Sequence, residues 1–264
     1  GAGMTGAPEQ DIGEMDPIPC AATIVQYREH VVGAKSAHFG GPGWESAGGV
    51  LEAAQRSDSI AMIDFAPQPT RTYEELLEHM SPGDIHTHLY AAHIPLLDDE
   101  GQVNDYVLAA RGRGIIFDTG YGNGSFWFRI AVPAMAQGFH PDTISTDLHK
   151  DSRMLPNATM PITMSKFLAL GMPLKEVVYR STHKPAKVLR RPELGHLSVG
   201  SEADLAAFAL HEGDFCFVDS GRAKIQARKK LECELTLRAG RITWDLNGRS
   251  LVDWERAGDD RILA

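Results

Sequence analysis

Residues 59–90 read SIAMIDFAPQPTRTYEELLEHMSPGDIHTHLY. IAMID is an almost wholly apolar run, and Pro67 and Pro69 break the chain soon after it. YEELLEHM has helical apolar spacing, and a Pro-Gly turn opens a second strand through IHTHLY. Strand, helix and strand in succession form a βαβ unit, which joins parallel strands. The same alternation extends both ways. Upstream, CAATIVQYREH (20–30) predicts a helix and VVGAK (31–35) a strand. A Gly-rich loop (36–49) and a short helix, VLEAAQRS (50–57), follow. Downstream come a helix at 106–113, the strand GIIFDTG (114–120), the loop YGNGSFWF (121–128), a helix at 129–138 and the strand DTISTD (142–147). That makes about five βα units, where a closed (β/α)8 barrel has eight.

After Asp147 the pattern changes. TMPITMSKFLALG (159–171) and PLKEVVYRSTHKPAKVL (173–189) predict two amphipathic helices. GHLSVGSEADLAAFAL (195–210) predicts a turn and a strand. LECELTLRAGRITWDLNG (231–248) predicts a hairpin about its Ala-Gly turn, with an irregular tail from Leu251. The expected fold is α/β: a (β/α)8 barrel represented by about five units and C-terminal helices, with a small appended β subdomain. Residues 1–200 are assigned to the barrel, incomplete at its N-terminus, and 201–264 to the β subdomain and tail.

Composition narrows the function classes. The 264 residues are 43% hydrophobic and 23% charged, enough to bury a sizeable core. The formal net charge is −9 and the one basic run is the short ARKK at 227–230, which argues against nucleic acid as a partner. Cys20, Cys216 and Cys233 are odd in number and widely spaced, which fits a reducing compartment rather than a disulfide framework. No apolar run reaches the roughly 18 residues of a membrane span. The expectation is a cytoplasmic enzyme acting on a small molecule, without membrane or nucleic-acid partners, and a homo-oligomer. The residues before Met4 read either as a cloning remnant or as the interior of a longer chain.

Four apolar runs end in residues able to bind a metal: Lys35, Asp64, His88 and Asp147. In parallel barrels the chemistry collects at the C-terminal ends of several strands, so the recurrence points to a metallohydrolase site. Burial disfavours an ammonium, and a neutral amine takes up carbon dioxide as a carbamate, an anionic ligand able to bridge two ions. The competing reading of Lys35 is a strand-end cation in water. His86 and His88 sit two apart in one predicted strand, so period-2 alternation puts both on one face, as a chelate or as one ligand and one substrate contact. Asp64 needs a partner if buried, whether metal or cation, or else caps a loop. Asp147 can hold a metal through one oxygen and take a proton from the attacking water through the other, or else cap the next helix. His149 is a candidate metal or substrate contact and Lys150 a candidate substrate contact, against the simpler reading of a solvated loop. Tyr121 and Asn123 in the glycine-rich loop are candidate substrate hydrogen-bonding groups, against the simpler reading of a tight βα turn.

VVGAKSAH (31–38), PGDIHTHLY (82–90), RGIIFDTGYGNGSF (113–126) and PDTISTDLH (141–149) together resemble the amidohydrolase superfamily, most closely its dihydroorotase-like deacetylase branch. STHKPAKVLRRPELGHLSVGSEADLAAFAL (181–210) is similar to that superfamily's run of T-x-x-P-A, G-x-L-x-x-G and A-D-L-A. The resemblance implies that Lys35 is a bridging carbamate, His88 the strand-six ligand, and Asp147 the strand-eight ligand and general base, around one or two divalent ions, most often zinc. Asp64 falls where the strand-five ligand is usually His. Thr182, Pro185, Gly195, Gly200 and Asp204 are implied to tie barrel to subdomain. The first-strand His-x-His has no counterpart, which implies a chain of roughly 380 residues or more. The expected activity is metal-dependent hydrolysis of an amide or ester bond in a small acylated substrate. The alternatives are a cyclic-amide hydrolase of the dihydroorotase or hydantoinase kind, and a non-catalytic homologue that binds without turnover.

Overall fold

The computed structural model describes residues 7–149 and 152–258; Lys150 and the residues around Met4 lie outside them. The chain alternates helix and strand: α1 (Pro17–Gln26), β1 (Gly33–Ser36), α2 (Glu45–Ser57), β2 (Ile60–Ile63), α3 (Tyr73–His79), β3 (Ile85–His86), α4 (Asp105–Arg113), β4 (Ile116–Phe117) and α5 (Phe128–Ala136). β1 to β4 form one four-stranded sheet in chain order, every pairing parallel. Thr143, in the segment expected as the fifth strand, adds one parallel bridge to Asp118. The sheet stays open and does not close into a barrel.

Local chemistry explains the boundaries. Asp16 caps α1 through the Ile18 amide, with Pro17 at the first helical position. Thr72 and Glu75 form a reciprocal capping box at the start of α3. Tyr73, Leu76 and Leu77 of α3 are buried against the sheet, each large apolar side chain contributing about 1.5–3 kcal/mol by leaving water. The register runs Ser36–Ile63, Ile63–His86 and His86–Phe117 across the sheet. Beyond it, the Asp64 amide donates to Ser36 O, the Thr87 amide to Ile63 O and the Leu89 amide to Asp118 O. The strand ends of β1 to β4 therefore finish level, at one edge.

The second half comprises α6 (Met160–Ala169), α7 (Leu174–Ser181), α8 (His183–Val188) and an antiparallel sheet of β5 (Leu205–Val218), β6 (Lys224–Arg238) and β7 (Arg241–Asp245). One expected helix, 173–189, is two: Thr182 leaves helical geometry (φ −135°, ψ −84°) between α7 and α8. The Ala239–Gly240 turn joins β6 to β7 as expected. The longer β5–β6 hairpin turns near Asp219–Arg222, inside a stretch whose sequence shows no clean apolar alternation. The Ser165 hydroxyl of α6 accepts from the Leu231 amide of β6, and Ser220 bonds the Phe126 backbone both ways. These bonds fasten the antiparallel sheet to α6 and to the loop before α5. Among the described residues no helix is long and apolar enough to cross a membrane.

Candidate active site

At the level edge, Asp64 and His88 meet. Asp64 follows β2 and His88 lies two residues past the end of β3, and His88 Nε2 stands 3.3 Å from Asp64 Oδ2. His88 Nδ1 lies 2.5 Å from the Gly120 carbonyl. A carbonyl only accepts, so Nδ1 carries a proton and Nε2 faces the carboxylate. Burial pushes the Asp64 carboxyl towards its neutral form, but the hydrogen bond and charge of His88, with Lys35 and His38, outweigh it and hold its pKa below the usual value. Burial likewise works against the imidazolium of His88, and Asp64 more than compensates, so that its pKa is raised.

A third imidazole, not identified from sequence, reaches the same oxygen. His38 Nε2 lies 3.7 Å from Asp64 Oδ2 while its Nδ1 bonds Glu9 at 3.2 Å. The backbone marks the same place. His38, His88, Asn123 and Asp147 all have positive φ (57°, 62°, 69° and 47°), uncommon for residues other than glycine. Gly120 and Gly122 do too, and there the missing side chain matters. A Cβ on Gly120 would fall 2.7 Å from His88 Nδ1, and one on Gly122 2.5 Å from Asp147 Oδ2. The glycine turn thus receives His88 on one residue and Asp147 two residues later. Behind it, the buried Asp118 carboxylate accepts from the hydroxyls of Thr87 (2.8 Å), Thr143 (2.5 Å) and Ser145 (2.7 Å). The Ser145 hydroxyl also accepts from the Gly120 amide. The sequence hint was hydroxyl-bearing residues in IHTHLY and DTISTD, the runs on either side of Asp118.

Other expected positions fall elsewhere. Lys35 is exposed on the edge strand β1, not buried, though near enough for its charge to act on Asp64 and His88. His86 and His88 do not share a face. β3 ends at His86, and the left-handed turn at His88 breaks the two-residue alternation. His86 packs between Tyr73 and Phe117, donating or accepting at Nδ1 with the Tyr73 hydroxyl at 3.3 Å. Burial first, then the His88 charge, depress its pKa to about 3. Tyr121, expected to face substrate, is 0% exposed, edge-on to Phe126 with Lys166 Nζ 3.7 Å over its ring. Asn157 bonds both the Tyr121 hydroxyl and Asn123 Oδ1. Asn123 stays half-buried on the glycine turn. His149 turns back on the strand end, bonding the Asp147 carbonyl through Nδ1 at 2.9 Å.

The donors suit a divalent ion. Ligands 2.0–2.1 Å from a tetrahedral zinc stand about 3.3–3.4 Å apart, which matches the Nε2–Oδ2 separation of 3.3 Å between His88 and Asp64. An imidazole whose other nitrogen is tied to a carbonyl is also the usual form of a metal-binding histidine. Among the described residues no three His, Cys, Asp or Glu side chains are already gathered as a closed ligand cluster; the fit lies in donor type and pair geometry.

Residues 128–242 match the Amidohydrolase family profile. A deacetylase of Brucella anthropi is 34% identical over 218 residues, covering 80% of this chain and 54% of that protein. A deacetylase of Agrobacterium fabrum is also 34% identical, covering 80% of this chain and 53% of its own length. The chain thus spans about half the length of the curated relatives it matches. Among solved structures, a dihydroorotase is 31% identical with TM-score 0.78, covering 88% of this chain and 62% of that one. An adenine deaminase superposes with TM-score 0.81 at 24% identity, covering 89% of this chain and 66% of that one, a likeness of fold. The parallel βα sheet accordingly resembles part of the TIM-barrel architecture of those structures, and the chain is similar to amidohydrolases, bacterial deacetylases among them.

Proposed function

We propose that this site serves metal-dependent hydrolysis of an amide or ester bond in a small acylated substrate. The observation that carries the reading is the Asp64–His88 pair at the strand ends, with His88 Nδ1 fixed on the Gly120 carbonyl. The deacetylase relatives support the acyl class. Asp64, His88 and Asp147 would hold one or two divalent ions, zinc by donor type, with Lys35 joining as a carbamate formed with carbon dioxide. When bound, such an ion polarises a carbonyl and acidifies water.

The chain's own residues have distinct tasks. Asp147, leaning on Gly122, takes the proton of the attacking water and passes it to the leaving group. The glycine turn leaves room for the carboxylate where a Cβ would collide with it. Asn123 and His149 border the same turn and contact substrate, while Tyr121 supports the turn from beneath. A second reading, hydrolysis of a cyclic amide, is favoured by the 31% identity with a dihydroorotase. We further propose that the protein acts in the cytoplasm as a homo-oligomer.

The test is turnover of N-acetyl, O-acetyl and cyclic-amide compounds in zinc and bicarbonate. Activity should disappear on chelation and return with zinc, and Asp147→Asn should lower kcat by about 100-fold or more. Turnover indifferent to chelator would contradict the proposal, and the compound class that reacts separates its two forms.

A further inference from the structure

We propose that His38 is an imidazole ligand of the divalent metal held by Asp64 and His88, and that Glu9 orients it. The inference rests on the metal-centre reading above and adds a ligand from outside the strands.

Distance is the first support. His38 Nε2 and His88 Nε2 approach one oxygen, Asp64 Oδ2, at 3.7 and 3.3 Å. Neighbouring ligands on tetrahedral zinc are about 3.3–3.4 Å apart. His88 already stands at that spacing and His38 a few tenths of an ångström beyond it.

The second support is the far side of each ring. Metal-binding histidines give their other nitrogen to a carboxylate or a carbonyl, which fixes tautomer and orientation. His88 Nδ1 meets the Gly120 carbonyl, and His38 Nδ1 meets the Glu9 carboxylate. The two imidazoles are held alike, each with Nε2 turned towards Asp64.

Backbone is the third. His38 has φ 57°, a strained conformation that persists where surrounding contacts impose it. Here Gln10 imposes it: its Nε2 donates to the His38 carbonyl at 2.6 Å and its Oε1 accepts from the Gly40 amide at 2.9 Å. The short 3-10 turn Ala7–Gln10 therefore supplies both the clamp on the loop and the carboxylate on the ring. A solvated ion pair needs neither.

Zinc affinity of the 264-residue chain, read by competition with a chromophoric chelator, tests the assignment. His38→Ala should weaken zinc binding by more than about 100-fold and Glu9→Gln by about 10–100-fold, the usual effect of losing an orienting partner. His211→Ala, on the distant β5, should bind as wild type. Melting in excess chelator checks folding: the variants should melt close to wild type there, and His38→Ala should lose most of the zinc-induced rise in Tm. Equal zinc affinity in wild type and His38→Ala overturns the His38 assignment and leaves the metal centre standing. A wild-type chain that takes up no zinc overturns both.

Discussion

Asp64 stays ionised in a largely buried position because two imidazoles and a lysine surround it. Desolvation works against the charge, and the hydrogen bond and charge of His88 prevail. In the metal-free protein Asp64 therefore contributes stability above about pH 4, lost as pH falls through its lowered pKa. His88, with its pKa raised, contributes below about pH 6.5, lost as pH climbs through the folded value. NMR titration of metal-free protein should find the His88 pKa above 6.5 in wild type and lower in Asp64→Asn, where burial and the Lys35 charge oppose only the Gly120 carbonyl bond; an unmoved value would refute the pairing. His86 gives the opposite case. Among the described residues its Nε2 is buried without a hydrogen-bond partner and its Nδ1 bonds only Tyr73. The double change His86→Phe with Tyr73→Phe removes both polar partners, so stability should change by no more than about 1 kcal/mol. Zinc binding should persist, whereas His88→Phe should abolish it. Sequence alone supplied Asp64 and His88 through their strand-end positions. It could not separate His86 from His88, because the left-handed turn at His88 is a tertiary outcome. Position 64 bears a carboxylate where the resemblance expects an imidazole, and in the fold an imidazole arrives from position 38, which no periodicity singles out.

At the scale of elements, the glycine turn and the hydroxyl cluster behind it connect strand ends to chemistry. Asp118, just past β4, holds one hydroxyl from Thr87 after β3 and two from Thr143 and Ser145 in the next segment, and Ser145 passes that order to Gly120 and so to His88. Asp118→Ala strands the buried Thr87 and Thr143 hydroxyls and the half-buried Ser145 hydroxyl and should cost about 3 kcal/mol or more in urea unfolding, with weaker zinc binding as well. A cost below about 1 kcal/mol would show that the cluster does not order the edge. Gly122→Ala should lower kcat more than it raises KM, because its methyl would press on Asp147 and φ is 51° there. The βα units were legible because each had an apolar strand and a polar punctuation: the two prolines after Phe65, the Pro-Gly before Asp84, the glycine at 114. The β5–β6 hairpin was not, because its outer faces are exposed and charged pairs such as Lys229–Glu212 replace apolar alternation. Nor was the break at Thr182, where the carbonyl faces Gly195 so closely that a Cβ there would collide.

Across the whole molecule, an open parallel sheet and an antiparallel sheet are joined through α6, and the joint contains a buried cation. Among the described residues Lys166 Nζ has no hydrogen-bond partner, and it lies over Tyr121 and Phe126. Burial lowers its pKa to about 7. The unfolded chain holds that proton up to about pH 10.4, so this residue makes folding more favourable as pH rises from 7 to 10. Lys166→Met should therefore be more stable than wild type at pH 7 by urea unfolding, with the advantage shrinking towards pH 10; a constant difference would contradict this. Family and fold were legible from 31–38, 82–90 and 181–210 together, while the open edge at β1 leaves Lys35 exposed where a closed barrel was expected to bury it. The chain spans about half of its curated relatives, so its capacity to hold metal as it stands is the central question. The most direct measurement is elemental analysis of the purified 264-residue protein after zinc and bicarbonate loading, with mass analysis of Lys35. The account predicts one to two zinc ions per chain, lost in Asp64→Asn with His88→Ala. A zinc-free protein with Lys35 unmodified would contradict it.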